Sequence, residues 1–238
     1  MLTVRAQRLL AEADTIIYAD SLVPRQILTV ARADVERIPT ANCTLEEILP
    51  LIRERVEGGK RVVRLHDGDP ALYGAIHEQV HALRAWGLNY EIVPGISAYQ
   101  ATAARLGVEL TVPGLVQSII LTRISGRTEV PEAEDLAQLA AHRASLCLYL
   151  SARHVAEAQA QLLTHYPAET PVAVAFRVGW PDEQIWLTSL DQMAALSSEQ
   201  NLIRTTLYLI SPALAAVEGR SRLYNPEHDH LFRPKVHS

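Results

Sequence analysis

The sequence predicts an α/β protein of two α/β domains, the first built on a parallel sheet and the second on a mixed one. Three observations predict it. Short β-prone runs alternate with amphipathic runs of helical length through most of the chain, the pattern of strands that lie parallel and are joined by helices. The alternation pauses at Thr111-Val112-Pro113-Gly114 and then resumes, which divides the chain into domains 1–112 and 113–238. Finally, Trp180-Pro181-Asp182-Glu183 separates two β-rich runs, 171–176 and 184–189, by a connection too short for a parallel crossover, so the second sheet holds an antiparallel pair.

Taken in order, residues 3–13 place Val4, Leu9, Leu10 and Ala13 on one helical side, and Thr15-Ile16-Ile17-Tyr18-Ala19 is a β-prone run closed by Asp20-Ser21. A helix follows Pro24, and 34–38 is a short strand. Thr44 with Glu47 forms a capping box for the next helix, which ends at Gly58-Gly59. Residues 61–65 read as a strand, 72–86 as a helix stopped by Gly87, 90–93 as a strand, and 97–106 as a helix stopped by Gly107. Beyond the pause come a strand at 118–122, a helix at 132–142, a strand at 145–150, a helix at 153–163, and the strands 171–176, 184–189 and 205–210. The tail around Tyr224-Asn225-Pro226-Glu227-His228-Asp229-His230 is polar and irregular.

Bulk properties narrow the function. No apolar run approaches the roughly 18 to 20 residues that a bilayer crossing needs, so no membrane partner is expected. The start of the chain has neither a long apolar segment nor a small-residue cleavage site, and only Cys43 and Cys147 are present, a pattern that fits the cytoplasm. A net charge of −5 gives no support to a nucleic-acid surface, though it leaves room for a local basic pocket.

Two motifs compete within residues 65–87. His77-Glu78-Gln79-Val80-His81 spells the H-E-x-x-H of zinc hydrolases, but the core stripe of this helix is Leu72, Ile76, Val80 and Leu83. His77, His81 and Arg84 then fall on a neighbouring, solvated stripe, and no histidine before His142 offers a third ligand, so no metal is expected. Asp67-Gly68-Asp69-Pro70 lies between a strand and a helix, at the carboxyl edge where open parallel sheets bind ligands. It has a plain structural reading too: Asp69 as N-cap, Pro70 as first helical residue and Gly68 as a sharp turn.

A second loop of the same kind follows at Val93-Pro94-Gly95-Ile96-Ser97-Ala98. Together with Leu106-Gly107-Val108-Glu109-Leu110-Thr111, the order and spacing of these stretches resemble the tetrapyrrole methylase family, enzymes that use S-adenosylmethionine to methylate uroporphyrinogen and corrin precursors. Tyr18-Ala19-Asp20-Ser21-Leu22-Val23, Ile120-Leu121-Thr122-Arg123 with Gly126-Arg127-Thr128, Gly179 to Glu183, and the tail around Tyr224 look like a corrin-methylating branch.

The resemblance implies S-adenosylmethionine as cofactor, held in the cleft between the two domains, a tetrapyrrole as substrate and partner, and a homodimer. Gly68, Asp69, Pro70 and Tyr73, with Ser97 and Ala98, would line the donor site from the first domain. Leu150, Ala175, Phe176, Arg177 and Ile210, Ser211 and Pro212 would enclose the adenosine from the second, with a side chain at Ser211 where the family commonly has glycine. Arg123, Arg127 and Arg177 would meet substrate carboxylates through guanidinium forks. No catalytic acid or base is implied, because the methyl is already activated and the reduced ring carbon already nucleophilic. Family members normally begin with a strand and a glycine-rich loop, and this sequence opens at the helix after them. An interior strand missing from the first sheet leaves its neighbours unpaired, so a chain that binds without turning over is the alternative from another functional class; other corrin positions, a modified elongation-factor histidine and ribosomal RNA are the alternatives on the same fold.

Overall fold

The computed structural model describes residues 1–126 and 128–216, so the expected tail around Tyr224 lies outside the described residues. The chain divides into two compact units, Met1–Ala98 and Tyr99–Ser238.

In the first unit, Thr3 opens helix α1 (Val4–Glu12) by accepting the Ala6 N–H at 3.2 Å. Leu10 and Ala13 of this helical stretch are buried, whereas Val4, expected on the same side, is 65% exposed. Strand β1 (Thr15–Tyr18) pairs in parallel with β2 (Glu36–Pro39) on one side and with β3 (Val62–Leu65) on the other, giving the order β2-β1-β3. Alternation sends Ile16 and Tyr18 to a cluster with Leu10, Val23 and Leu28, and Ile17 to a cluster with Ile48 and Ile52 of α2 (Leu45–Glu57). Both faces of β1 are therefore covered, which is why its sequence is apolar without a break. The capping box at α2 is present: the Glu47 carboxylate accepts the Thr44 N–H at 2.7 Å.

Two expectations are corrected here. The helix expected over 72–86 is α3 (Ile76–Ala85), because Tyr73 and Ala75 adopt left-handed φ values of 58° and 48°, which a helix cannot contain. Its core stripe shifts accordingly, and Gln79 is its most buried residue. The strand expected at 90–93 forms no ladder among the described residues, so β3 is an edge strand and is half-buried throughout, whereas β1 is fully buried.

The second unit begins with Tyr99, earlier than the expected boundary at 112. Helix α4 (Ala98–Leu106) and the segment after it bind here: the Tyr99 N–H donates to the Tyr149 hydroxyl at 3.2 Å, Arg105 pairs with Glu183 at 2.6 Å, and Ser145 Oγ donates to the Leu110 carbonyl at 2.7 Å. The sheet is mixed, as expected. Strands β4 (Ile119–Arg123) and β5 (Ser145–Tyr149) are parallel; β6 (Pro171–Phe176), β7 (Gln184–Ser189) and β8 (Thr206–Ile210) join antiparallel, in the order β4-β5-β8-β6-β7. Leu146, Leu148, Val172, Val174, Tyr208 and Ile210 form its core with Ala158 and Leu162 of α6 (Val155–Leu162) and Met193 of α7 (Met193–Glu199). Preceding α6 in sequence is the five-residue helix α5 (Leu136–Ala140), shorter than the helix expected over 132–142.

Candidate functional site

In the first unit, two loops that follow apolar segments are fastened together. The Asp69 carboxylate accepts the Ala71 N–H at 2.8 Å with one oxygen and the Gly95 N–H at 2.9 Å with the other. Asp69 is therefore a clamp on the 70–74 turn and on the 94–97 loop, and not the N-cap of α3, which starts at Ile76. The two backbones touch so closely that a Cβ on Gly95 would lie 1.9 Å from the Gly68 carbonyl oxygen, and one on Gly74 would lie 2.2 Å from that of Pro70. Gly68 itself has φ +60°, a conformation glycine takes without strain. The resulting cradle is made of backbone, with Pro70 and Ser97 packed into it and Tyr73 on its rim, 42% exposed.

Electrostatics single out the approach to this loop. Burial lowers His66 to about 4, with the neighbouring Arg64 cation adding to the effect, so the imidazole is neutral at pH 7. Solvent reaches Asp67, yet surrounding protein atoms crowd its carboxyl, and the lost hydration raises it above the ordinary carboxylate value. Arg64 donates through Nη1 to Thr40 Oγ1 at 3.1 Å, while its buried Nε has no partner among the described residues. His66 was not singled out as a site residue in the sequence; the signal was its position at the carboxyl end of a parallel strand, directly before the Asp67-Gly68-Asp69-Pro70 loop.

His77, Glu78 and His81 are all exposed on α3, and among the described residues no group of three His, Cys, Asp or Glu side chains is placed to hold a metal.

In the second unit, Leu150 ends β5 with φ 52° and is 68% exposed, a large apolar side chain held at the carboxyl edge of the sheet. Arg177 follows β6 with φ 48°; its guanidinium lies 4.0 Å from the Trp180 ring centroid and 5.9 Å from that of Phe176, and it pairs with Asp182 at 2.7 Å. Ala175 and Ile210 are 1% and 0% exposed, buried in the sheet with backbone and side chain alike. The Ser211 side chain turns inward, 2.6 Å from Ser145 Oγ, and accepts the Ala213 N–H, which leaves Pro212 as the partly exposed member of that group. Ala98, half-buried, belongs to the first unit and opens α4.

The structure describes two of the three arginines expected at the substrate, Arg123 and Arg177. Arg123 spends both terminal nitrogens on the carbonyls of Thr128 and Glu129, at 2.9 and 3.0 Å, and so ties down its own loop. Arg127 lies outside the described residues. Tyr149 and Ser151 were not singled out in the sequence; Ser151 Oγ bridges the Ile124 N–H and the Tyr149 carbonyl and holds the ends of β4 and β5 together.

Of the seven non-glycine residues with left-handed backbone among the described residues, Tyr73 of the first unit and Leu150 and Arg177 of the second are three. Such strain costs about 1–3 kcal/mol per residue and persists where ligand clamps require it.

Comparison with known proteins gives this geometry its context. The profile of the Tetrapyrrole (Corrin/Porphyrin) Methylases matches residues 1–194. A precorrin-4 C(11)-methyltransferase of Pseudomonas aeruginosa is 45% identical over 98% of this chain and 94% of its own length. A cobalt-precorrin-4 C(11)-methyltransferase of Priestia megaterium is 37% identical over 100% and 94%. Among solved structures, the X-ray structure of a cobalamin biosynthetic enzyme, cobalt precorrin-4 methyltransferase, has a TM-score of 0.85 at 38% identity and covers 89% of each chain. Uroporphyrin-III-C-methyltransferase from Thermus thermophilus has a TM-score of 0.71 at 29% identity, covering 90% of this chain and 89% of that one. Both loops, both sheets and the sequence along nearly all their length lead to one placement: the chain belongs to the tetrapyrrole methylase family.

Proposed function

We propose that this chain transfers a methyl group from S-adenosylmethionine to C11 of precorrin-4 or of its cobalt-bearing form, in cobalamin biosynthesis. The observation that carries the reading is the left-handed backbone at Tyr73, Leu150 and Arg177, three positions that the family resemblance assigns to the methyl donor. Relatives named for that reaction, 37% to 45% identical over nearly the whole chain, support the choice of substrate. The reading extends to a homodimer in the cytoplasm; the family likeness supports the first, and two unpaired cysteines support the second.

The residues present fit the donor. In the first unit the Gly68 turn and the 94–97 loop, locked together by Asp69, present backbone with no side chain at Gly68 or Gly95, and in the second unit exposed Leu150 offers apolar surface of the kind a purine covers. When bound, the donor supplies a sulfonium methyl that needs no further activation. The protein's part is then to position and to exclude water. Asp69 fixes the relative placement of the two loops, Arg177 is stiffened by Trp180 and Asp182, and neutral His66 keeps a second cation away from the cradle.

Calorimetric titration with S-adenosylhomocysteine, the product left after transfer, tests the reading. Saturable one-to-one binding to the full chain, weakened in Asp69→Ala, is expected. A folded chain that does not bind would overturn it.

A further inference from the structure

Two of the arginines that the family resemblance assigns to the substrate hold internal partners, Arg123 two carbonyls and Arg177 the Asp182 carboxylate and the Trp180 ring. Two others in the first unit do not. A pocket of about 260 Å³ is lined by Tyr18, Arg25, Leu28, Thr29 and Arg37. Tyr18 ends β1; Arg25, Leu28 and Thr29 stand on the 3-10 helix Arg25–Val30; and Arg37 lies on β2 opposite Ile16, so the ladder puts it on the face that Ile16 and Tyr18 share.

The charge of this pocket is uncompensated. Elsewhere in the unit Arg5 pairs with Glu91, Arg32 with Asp14, Arg53 with Glu57, Arg55 with Glu36 and Arg61 with Glu12. Among the described residues Arg25 and Arg37 have no carboxylate partner, and no acidic side chain lines the pocket. The acids nearest in sequence are committed: Glu36 to Arg55, Thr15 and Lys60, Asp34 to Arg32, and Asp20 to the Ala41 N–H. Two guanidiniums and a tyrosine hydroxyl beside apolar Leu28 form a donor set suited to an oxyanion, since each guanidinium can present a pair of N–H groups to two oxygens; the Thr29 hydroxyl already donates to the Gln26 carbonyl at 2.7 Å.

Through Tyr18 the pocket adjoins, along the β1–β3 ladder, the strand that leads into the Asp69 loop. Tyr18 is paired with Leu65, and the chain leaving Leu65 is the one that forms the 66–70 loop. We infer that the Arg25–Arg37 pocket binds a carboxylate arm of the tetrapyrrole. This rests on the proposed methyl transfer, because that substrate is the polycarboxylate the chain would handle.

The test uses the full chain and the variants Arg25→Gln, Arg37→Gln, their double, Arg37→Lys, and Arg8→Gln as a control at an exposed arginine outside the pocket. KM for the tetrapyrrole is expected to rise about tenfold in each pocket glutamine variant, with kcat and KM for the methyl donor unchanged. Arg37→Lys recovers part of the loss, since it restores charge without the fork. Arg8→Gln leaves KM where it was; an equal rise there would reduce the effect to the general field of the protein and overturn the inference. A second readout is independent of turnover: tricarballylate, a small tricarboxylate, raises the melting temperature of the wild type and not of the double variant. That result upholds the pocket even in a preparation with no methyl transfer, which would count against the proposed function alone. Stabilisation by inorganic phosphate with no change in KM would assign the pocket to free phosphate and overturn the carboxylate arm, as would the absence of any effect of the double variant.

Discussion

Gly95 and His66 carry consequences that other residues of the same type do not. An alanine at Gly95 brings its Cβ to 1.9 Å from a backbone oxygen, which no side-chain rotation relieves, so the 66–70 and 94–97 loops must part and the Asp69–Gly95 bond must break. Gly95→Ala is expected to cost about 1–3 kcal/mol in urea denaturation and to abolish S-adenosylhomocysteine binding. Gly107→Ala, at φ +66° with open space around it, costs only about 1–2 kcal/mol of left-handed strain and leaves binding intact. For His66 the folded state holds the imidazole at about 4, below its ordinary 6.5, because protonation would charge a buried ring beside Arg64. Between those values the unfolded chain binds more protons than the folded one. Stability is therefore full above about pH 6.5, falls as pH drops toward 4, and levels off below it. His66→Gln is expected to flatten that slope in denaturation curves between pH 7 and 4; an unchanged slope would show the titrating group to be another. Reading single residues from sequence placed the Gly68-Asp69-Pro70 turn, a local signal, but not the role of Asp69, which holds the Ala71 and Gly95 N–H groups and does not open α3. What it does not show is which residues of separate elements come together: Arg25 of the 3-10 helix and Arg37 of β2 line one pocket.

Elements were legible to the extent that their signals are local. The capping box at Thr44 and Glu47 announced α2 because both halves of the motif lie within one turn. The 3.6-residue pattern placed α3, but not its start, since left-handed Tyr73 and Ala75 are imposed by the loop contacts and leave no trace in hydropathy. Helix α7 was missed; seven residues with two serines and no apolar repeat give periodicity too little length. The segment 90–93 shows the opposite error. Tyr90-Glu91-Ile92-Val93 has strand composition, yet a strand exists only where a neighbour accepts its hydrogen bonds, and none among the described residues does. Amide hydrogen exchange reads this directly. Ile16 and Ile17 of β1, bonded on both sides and 0% exposed, are expected to exchange slowest in the first unit, while Glu91, Ile92 and Val93 exchange at loop rates. Protection of 91–93 comparable to β1 would show a ladder there and restore the strand.

At the scale of the whole molecule, the division of core between the units sets how the chain comes apart. Of the twelve largest fully buried side chains among the described residues, Leu10, Ile16 and Ile17 belong to the first unit and the other nine to the second. Burial of apolar area is the main stabilising term, so a three-stranded sheet with a half-buried edge is held more weakly than a five-stranded one with β5, β6 and β8 covered. The first unit is expected to unfold at lower urea than the second. The tryptophans separate the two events, because Trp86, stacked under Arg53 at 5.1 Å, is in the first unit, and Trp180 and Trp186 are in the second. Fluorescence of the Trp180→Phe/Trp186→Phe variant should report the earlier transition and that of Trp86→Phe the later one. Coincident midpoints would show one cooperative body and refute the ordering. The ligand adds a further arm. S-adenosylhomocysteine at a hundredfold excess over its dissociation constant stabilises the form that binds it by about 2.7 kcal/mol. Since the Asp69 clamp is formed only when the first unit is folded, the earlier transition is the one that must move toward the later, and an earlier transition that stays in place would remove the 66–70 loop from the binding site.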